Sequence, residues 1–396
     1  MIKSLYQQLS EPSRRPLEKV CQLYAQAGFQ CWLVGGSLRD LLIGEIPGDF
    51  DLATNAPLEA TRRIFHKVFE TGPDHGTLTI RLLEQTFEVT RFRRDVATDG
   101  RHAQISFAET IEEDLSRRDL RINAIAFDPL TGEFRDPEGG LVDLQEKIIR
   151  FVGPAGQRVR EDHLRALRYL RMLARLMPQG FSYDPAELAE VQATFLPEVL
   201  SLERVYEELG KMRRYASKAN HFLAEQLTAL QPFKAHLSPQ GHQDLIPKLL
   251  VLPDQTALGW AVAFERGESK APEDLRLSKK EKRRVKALLS FPELLPEQTP
   301  KLRAFISQVP AEDRPDLAQA AQVLFEQPLL APIQAILAAG DPLEIKDLAL
   351  DAAALMEMGL QGKALGAAQR RLLEALFEAP EHNQPDQLRQ LLSQNP

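Results

Sequence analysis

Apolar and polar positions alternate along this chain with two different periods, and the change of period divides it. Residues 14–27 carry a helical amphipathic pattern, and Gln30–Val34 is a short apolar run that predicts a strand. Leu38, Leu41 and Leu42 continue with helical spacing, and Pro57 opens a helix that runs through Phe65. His75–Leu82 and Thr86–Phe92 are β-rich runs separated by a few polar residues and predict a hairpin. Between Arg93 and Phe107 the composition turns polar around Asp99-Gly100-Arg101-His102, no period survives, and a loop is expected. Thr110 and Glu113 form a capping-box pattern that opens the helix leading to Arg117-Arg118-Asp119 and on to Asn123. From Glu161 the helical period is strong, with Leu164, Leu167, Leu170, Leu173 and Leu176 in one apolar stripe. Beyond about residue 220 the pattern is helical with many proline breaks. Ser278 and Glu281 make a second capping box there. Strand patterns are confined to the N-terminal part, so the expected class is α+β, a mixed-sheet head followed by all-helical sequence.

Candidate chemistry concentrates in Leu33–Thr54. Alternate residues of a strand share a face, so Asp49 and Asp51 would present adjacent carboxylates while Phe50 turns inward. Two such carboxylates repel unless a proton or cation lies between them, and oxygen-only ligation with room for phosphate suits Mg²⁺; a solvated loop pair is the plainer alternative. Upstream, Gly35 and Gly36 stand between a strand pattern and a helical one, where missing side chains let backbone N–H groups approach a phosphate. Ser37 can cap that helix or touch the phosphate, and Arg39 adds a cation. Glu88 falls on the face of its strand opposite Phe87 and Val89, as a third carboxylate near the pair or as an exposed strand residue.

Further along, Asp162, Arg165 and Arg168 recur at i, i+3 spacing on one helical face. This is either an exposed acid–base surface or a reader of base edges. Cytosine and adenine each offer an amino donor beside a ring-nitrogen acceptor, whereas uracil and guanine offer the reverse. A carboxylate at Asp162 with a guanidinium at Arg165 would accept the first two and reject the others, each mismatched polar group costing roughly 1–3 kcal/mol. Lys279, Lys280, Lys282, Arg283, Arg284 and Lys286 form the densest basic run in the chain, a solvated helix face or a phosphate-contacting surface.

Composition narrows the classes. With 396 residues, two to four structural units are expected. A net charge of −7 argues against indiscriminate coating of nucleic acid while leaving room for local basic stripes. Cys21 and Cys31 are the only cysteines and lack metal-ligand spacing, so neither zinc nor a disulfide framework is expected. No signal-peptide pattern or membrane-length apolar run is seen, and a soluble, cytoplasmic protein without an obligate protein partner is expected.

The motif Gly-Gly-Ser-x-Arg-Asp followed by Gly-Asp-Phe-Asp-Leu-Ala-Thr resembles the polymerase β nucleotidyltransferase superfamily. Within it the chain resembles the class II tRNA nucleotidyltransferases and bacterial poly(A) polymerases. The resemblance implies a nucleotidyltransferase head over 1–147, a helical neck over 148–220, a body over 221–330 and a tail over 331–396. It also implies Mg²⁺ held by Asp49 and Asp51 with Glu88 as accessory acid, and sugar and triphosphate contacts from Arg118, Asp119 and Asn123. In the segment similar to the family's Glu-Asp-x-x-Arg motif, Glu161 braces the arginine and Asp162 and Arg165 read the base. Glu203 and Arg204 fall in a segment similar to the neck motif, with structural roles. The loop around Gly100 resembles the family's specificity loop, with Ala103 in place of its proline. The activity implied is template-independent addition of CMP and AMP from CTP and ATP to a tRNA 3′ end. An A-adding or CC-adding enzyme, a poly(A) polymerase, or a non-catalytic tRNA-binding protein are the alternatives.

Overall fold

A computed structural model describes residues 11–73, 76–98, 103–233, 239–252, 278–289, 299–325 and 328–394. The chain forms two compact units, Met1–Ala235 and His236–Pro396.

The first unit begins with helix α1 (Glu11–Gln26), strand β1 (Cys31–Val34), helix α2 (Gly35–Leu42), strand β2 (Phe50–Thr54) and helix α3 (Leu58–Ile64). Strands β3 (Val68–Gly72), β4 (Thr77–Leu82) and β5 (Gln85–Arg91) follow, then β6 (Arg93–Thr98), β7 (Ala103–Phe107) and helix α4 (Ile111–Ser116). Short strands β8 (Ala126–Phe127) and β9 (Phe134–Arg135) complete a seven-stranded sheet of order β3-β4-β5-β2-β1-β8-β9. It is mixed: β2 and β5 run parallel, and the other pairs are antiparallel. All four residues of β1 are buried, as suits a central strand covered on both faces. One face packs Leu33, Phe50, Leu52, Phe87 and Val89 against Leu17, Val20 and Tyr24 of α1. The other gathers Trp32, Val34 and Ala53 with Ile111, Leu115 and Ala124. Phe50 and Leu52 thus anchor β2 in one core, and the intervening Asp51 faces the other side.

The segment expected as a structureless loop between Arg93 and Phe107 instead forms a separate antiparallel hairpin, β6–β7, with Arg93 opposite Phe107 and Arg94 opposite Ser106. Arg94 Nε donates across it to Ser106 Oγ at 2.8 Å. Arg93, Arg94 and Asp95, charged residues of low strand preference, disguise the start of β6 in the sequence. Asp99, Gly100, Arg101 and His102 lie outside the described residues. Strand β3 also went unforeseen, because Phe69, Glu70 and Thr71 form an exposed edge without alternation. The capping box is present: Thr110 Oγ1 accepts from Glu113 N at 3.4 Å and Glu113 Oε2 from Thr110 N at 3.2 Å.

Helix α5 (Gly140–Glu146) and strand β10 (Ile148–Ile149) lead to α6 (Ala155–Glu161) and α7 (Leu164–Leu176). Strand β11 (Ser182–Tyr183), α8 (Pro185–Thr194) and the long α9 (Leu202–Leu230) close the unit. The helix expected to run on from Glu161 is broken. Glu161 ends α6, and Asp162 is extended at φ −152°, ψ 107°. Its carboxylate explains the break: Oδ1 accepts the Leu164 N–H at 3.1 Å, so Asp162 serves the start of α7 as a local cap and does not continue a helix.

The second unit is helical throughout its described residues: α10 (Pro239–Val251), α11 (Lys279–Leu289), α12 (Thr299–Ser307), α13 (Arg314–Phe325), α14 (Leu330–Ala339), α15 (Ala352–Glu357), α16 (Gly362–Glu378) and α17 (Pro385–Gln394). Leu350, Leu355, Leu372, Leu376 and Leu388 form its buried C-terminal core. Arg303 joins two segments by donating to Asp341 Oδ2 at 2.6 Å and to the Phe377 carbonyl at 2.7 Å. Among the described residues no helix is long and apolar enough to cross a membrane.

Two stability predictions follow from the first unit. A Cβ at Gly140 would sit 2.1 Å from the Arg121 carbonyl oxygen, so Gly140→Ala should cost about 3 kcal/mol and lower the urea midpoint followed by circular dichroism. Glu187 accepts the Phe151 N–H, but its Oε2 is buried without a hydrogen-bond partner, and burial pushes its carboxyl up to about 7. Because the folded form holds this proton more tightly than the unfolded chain does, the stabilisation is lost as pH rises toward about 7. Glu187→Gln should therefore gain melting temperature relative to wild type as the pH goes from about 5 to about 8.

Candidate active site

Between β2, β5 and the helices that follow lies a cleft of about 420 Å³. Its walls include Gly35, Gly36, Asp51, Glu88, Thr90, Arg93, Arg117, Arg118, Asp119, Asn123, Asp162, Arg165 and Arg168. Asp51 and Glu88 are register partners in the parallel β2–β5 pair, which puts their side chains next to one another on one face. Burial raises the Asp51 carboxyl above its ordinary range; the Ser37 N–H and the charges of Arg118 and Arg39 oppose this, and Asp49 adds to it. Glu88 is raised by burial and then by the charge of Asp51. Asp49 is exposed and stands one residue before β2, outside the strand on which it was expected. Its charge nonetheless acts on both neighbours.

Carboxylates crowded in this way are the arrangement a divalent cation relieves. Among the described residues no three His, Cys, Asp or Glu side chains converge tightly enough to cage an ion by themselves. A Mg²⁺ ion needs only one or two carboxylates and completes its shell with water and phosphate oxygens. Asp51, with Asp49 or Glu88 beside it, could hold it here.

The junction where β1 passes directly into α2 approaches these carboxylates closely. Gly35 has φ +68°, and a Cβ there would fall 3.1 Å from Arg118 Nη1 and 3.4 Å from Asp51 Oδ2, so both backbone and space call for glycine. Ser37 and Arg39, in contrast, do not line the cleft. Ser37 Oγ donates to the Val34 carbonyl at 3.0 Å and accepts from Asp51 N at 3.0 Å, and Ser37 N donates to Asp51 Oδ2 at 3.4 Å. Arg39 is 4% exposed and donates to Asp40 Oδ1 at 2.7 Å and to Asn123 Oδ1 at 2.6 Å. Its burial lowers the guanidinium's affinity for its proton, which the Asp40 charge partly restores. Both residues are positioned to fix Asp51 and Asn123.

Positive charge on the opposite wall is organised by a residue that sequence reading passed over. Asp114, 1% exposed, accepts from Arg118 at 2.8 Å, from Arg117 at 3.2 Å and from Arg93 N at 3.1 Å. Burial raises its carboxyl, but the charges of Arg118 and Arg117 outweigh this and hold it low. Arg93, Arg117 and Thr90 were likewise not singled out. The i+3 and i+4 spacing from Asp114 to Arg117 and Arg118 was the available signal. It was masked because acids in a first helical turn are usually solvated.

Asp119 forms a second hub. It accepts from Asn123 Nδ2 at 3.1 Å and from Leu120 N at 2.8 Å, and pairs with Arg168 Nε at 2.8 Å. Burial pushes its carboxyl up, yet the Arg168 charge and these donors hold it far below the usual range. Arg165 donates to Glu161 Oε2 at 2.5 Å and to the Arg117 carbonyl at 3.1 Å; Glu161 also takes Arg158 Nη1 at 2.8 Å. Asp162 accepts Arg204 Nη2 at 3.1 and 2.9 Å. Asp162, Arg165 and Arg168 therefore meet in one cleft although the break at Asp162 means that no common helical face unites them.

The basic run is elsewhere, in the second unit. Ser278 and Glu281 form the foreseen capping box at 2.7 and 3.2 Å. Lys279, Lys280, Lys282 and Arg283 are exposed on α11, with Lys280 Nζ 3.4 Å from Glu312 and 3.3 Å from Asp313. The side chains of Arg284 and Lys286 lie outside the described residues.

Residues 31–150 match the family model described as the Poly A polymerase head domain. The chain is 38% identical over 210 residues to the mitochondrial CCA tRNA nucleotidyltransferase 1 of Danio rerio, covering 52% of this chain and 48% of that protein. It is 40% identical over 200 residues to the CCA-adding enzyme of Streptococcus pneumoniae, covering 50% and 48%. The chain thus spans about half the length of the curated relatives it matches. In three dimensions it is similar to the CCA-adding enzyme of Bacillus stearothermophilus solved in complex with CTP, with TM-score 0.71, 27% identity and 98% of each chain covered. A matching head sequence over residues 31–150 and a shared fold over nearly the whole length thus lead to one conclusion: the chain carries a head similar to the Poly A polymerase head domain and has the fold of a CCA-adding enzyme.

Proposed function

We propose that the protein adds CMP and AMP from CTP and ATP to the 3′ end of tRNA without a nucleic-acid template. The observation that carries this reading is the single cleft in which Asp51 and Glu88 face Arg118 and, at its far wall, Asp162 and Arg165. A site that only bound metal or phosphate would not need the last two. Relatives named as CCA-adding enzymes support the choice of substrate. On this reading the sequence divides into a head over 1–147, a neck to 220, a body to 330 and a tail to 396, and the exposed lysines of α11 face the tRNA backbone.

The reaction is attack of the RNA 3′-hydroxyl on the α-phosphate, with pyrophosphate leaving. Mg²⁺ held by Asp49 and Asp51 would lower the pKa of that hydroxyl and neutralise charge at the α-phosphate. Glu88 adds a negative charge beside Asp51 and so strengthens its hold on a cation. Gly35 and Gly36 let the backbone approach the triphosphate, and Arg118, clamped by Asp114, meets it with a fixed guanidinium. Asn123 and Asp119 face the sugar. Asp162 accepts from the base's amino group while Arg165 donates to its ring nitrogen, so that C and A pair and U and G do not. Glu161 neutralises part of the Arg165 charge and holds its plane.

The test is Asp51→Ala in the full chain, assayed for incorporation of labelled CTP into tRNA that lacks its 3′ terminus. Incorporation should fall by about three orders of magnitude or more, and chelation of divalent cations should do the same to wild type. Normal extension by the variant contradicts the proposal.

A further inference from the structure

Arg204 stands in the first turn of α9, away from the reacting groups, yet its guanidinium reaches a residue of the cleft wall. Nη2 donates to both oxygens of Asp162, at 3.1 Å to Oδ1 and 2.9 Å to Oδ2. Oδ1 also takes the Leu164 N–H at 3.1 Å. A carboxylate offers about four lone-pair positions. Three are engaged here by the protein, which leaves the free one on Oδ2. Arg165 is held independently by Glu161 and by the carbonyls of Arg117 and Arg158. Each of the two base readers is therefore fixed by a group that does not itself read.

We infer that Arg204 is the positioning residue for base selection: it locks the plane of the Asp162 carboxylate so that the open Oδ2 lone pair faces the base edge. The inference rests on the functional reading above. A locked carboxylate meets the amino group of cytosine or adenine as an acceptor and meets the carbonyl of uracil or guanine as a like partial charge. Without Arg204, Asp162 turns about its last torsion, accepts water, and no longer penalises the carbonyl. Because Asp162 sits in the extended break between α6 and α7, no helical neighbour stops that rotation. A second tie, Arg171 Nε to Glu208 Oε2 at 2.7 Å, holds α7 to α9 about one turn further along α9. Removing Arg204 therefore alters the carboxylate while the helix pair stays joined.

The experiment compares wild type, Arg204→Gln, Arg204→Lys, Asp162→Asn and the Arg204→Gln/Asp162→Asn double variant in the full chain. Single-nucleotide incorporation into truncated tRNA gives kcat/KM for CTP and for UTP, and a melting curve accompanies each protein. Arg204→Gln should lower the CTP/UTP ratio by about tenfold or more, and Arg204→Lys should recover part of it. On the Asp162→Asn background, Arg204→Gln should change the ratio by less than about twofold, since its role acts through that carboxylate. A ratio within about twofold of wild type in Arg204→Gln, whatever its melting temperature, overturns the role and leaves Arg204 as a brace. If Arg204→Gln does not fold, Arg204→Met, which keeps the aliphatic stem and removes every donor, takes its place, and a ratio within about twofold of wild type there overturns the role equally. Failure of wild type to incorporate any nucleotide sinks the functional reading itself, and the inference with it, whereas active wild type with an unmoved ratio sinks the inference alone.

Discussion

The constraint on which the site depends is the parallel pairing of β2 with β5. Every other pair in the seven-stranded sheet is antiparallel. This one exception aligns Asp51 with Glu88, strand residues from opposite sides of the β3–β4 hairpin region, so that two carboxylates share one face. Phe50 and Phe87, also partners, stack beneath them with ring centroids 5.9 Å apart. The apolar pair fixes the register, and with period 2 a slip by one residue would turn the slipped strand's carboxylate into the core. The hydrophobic face of the sheet thus determines where its charge must stand.

Around that fixed negative charge, the rest of the cleft is a set of clamped ions. Arg118 and Arg117 are held by buried Asp114, and Arg165 by Glu161. A continuous chain runs from Arg39 through Asn123 and Asp119 to Arg168, with links of 2.6, 3.1 and 2.8 Å. It connects the helix that begins at Gly35, beside Asp51, to the helix that carries Arg165 and Arg168. Such partly buried pairs contribute little net stability, because desolvation offsets their attraction. What they supply is fixed direction, the property that stabilisation of a transferring phosphoryl group requires. Glycine at 35 completes the arrangement by letting Arg118 and Asp51 come within contact of the backbone.

Much of this was legible in the sequence where one residue type has few uses. Paired glycines where a strand gives way to a helix and two capping boxes led to the observed local structure, while of the Asp-x-Asp pair only Asp51 lies on β2 and Asp49 stands just before it. Alternation left Glu88 as either a third carboxylate or an exposed strand residue, the resemblance favoured the first, and the parallel register brings it beside Asp51. What was not legible depended on tertiary pairing. The β6–β7 hairpin opens on Arg93, Arg94 and Asp95, and its sequence shows no hydrophobic period. Asp114 looked like a solvated first-turn acid until the fold buried it. Asp162 fell on a perfect helical spacing, yet its own side chain ended that helix by capping the next one. Ser37 and Arg39 were expected to face phosphate, and the fold turns them toward Asp51 and Asn123.

On the function proposed above, side chains of this protein take the place of a template. Single-nucleotide incorporation measures it most directly, using wild-type protein and tRNAs truncated before the first C, the second C and the final A, each offered CTP, ATP, UTP or GTP alone. The account predicts CMP at the first two ends, AMP at the third, and UMP and GMP at none. Incorporation of UMP or GMP at comparable rates, or untemplated runs of AMP on every end, would contradict it.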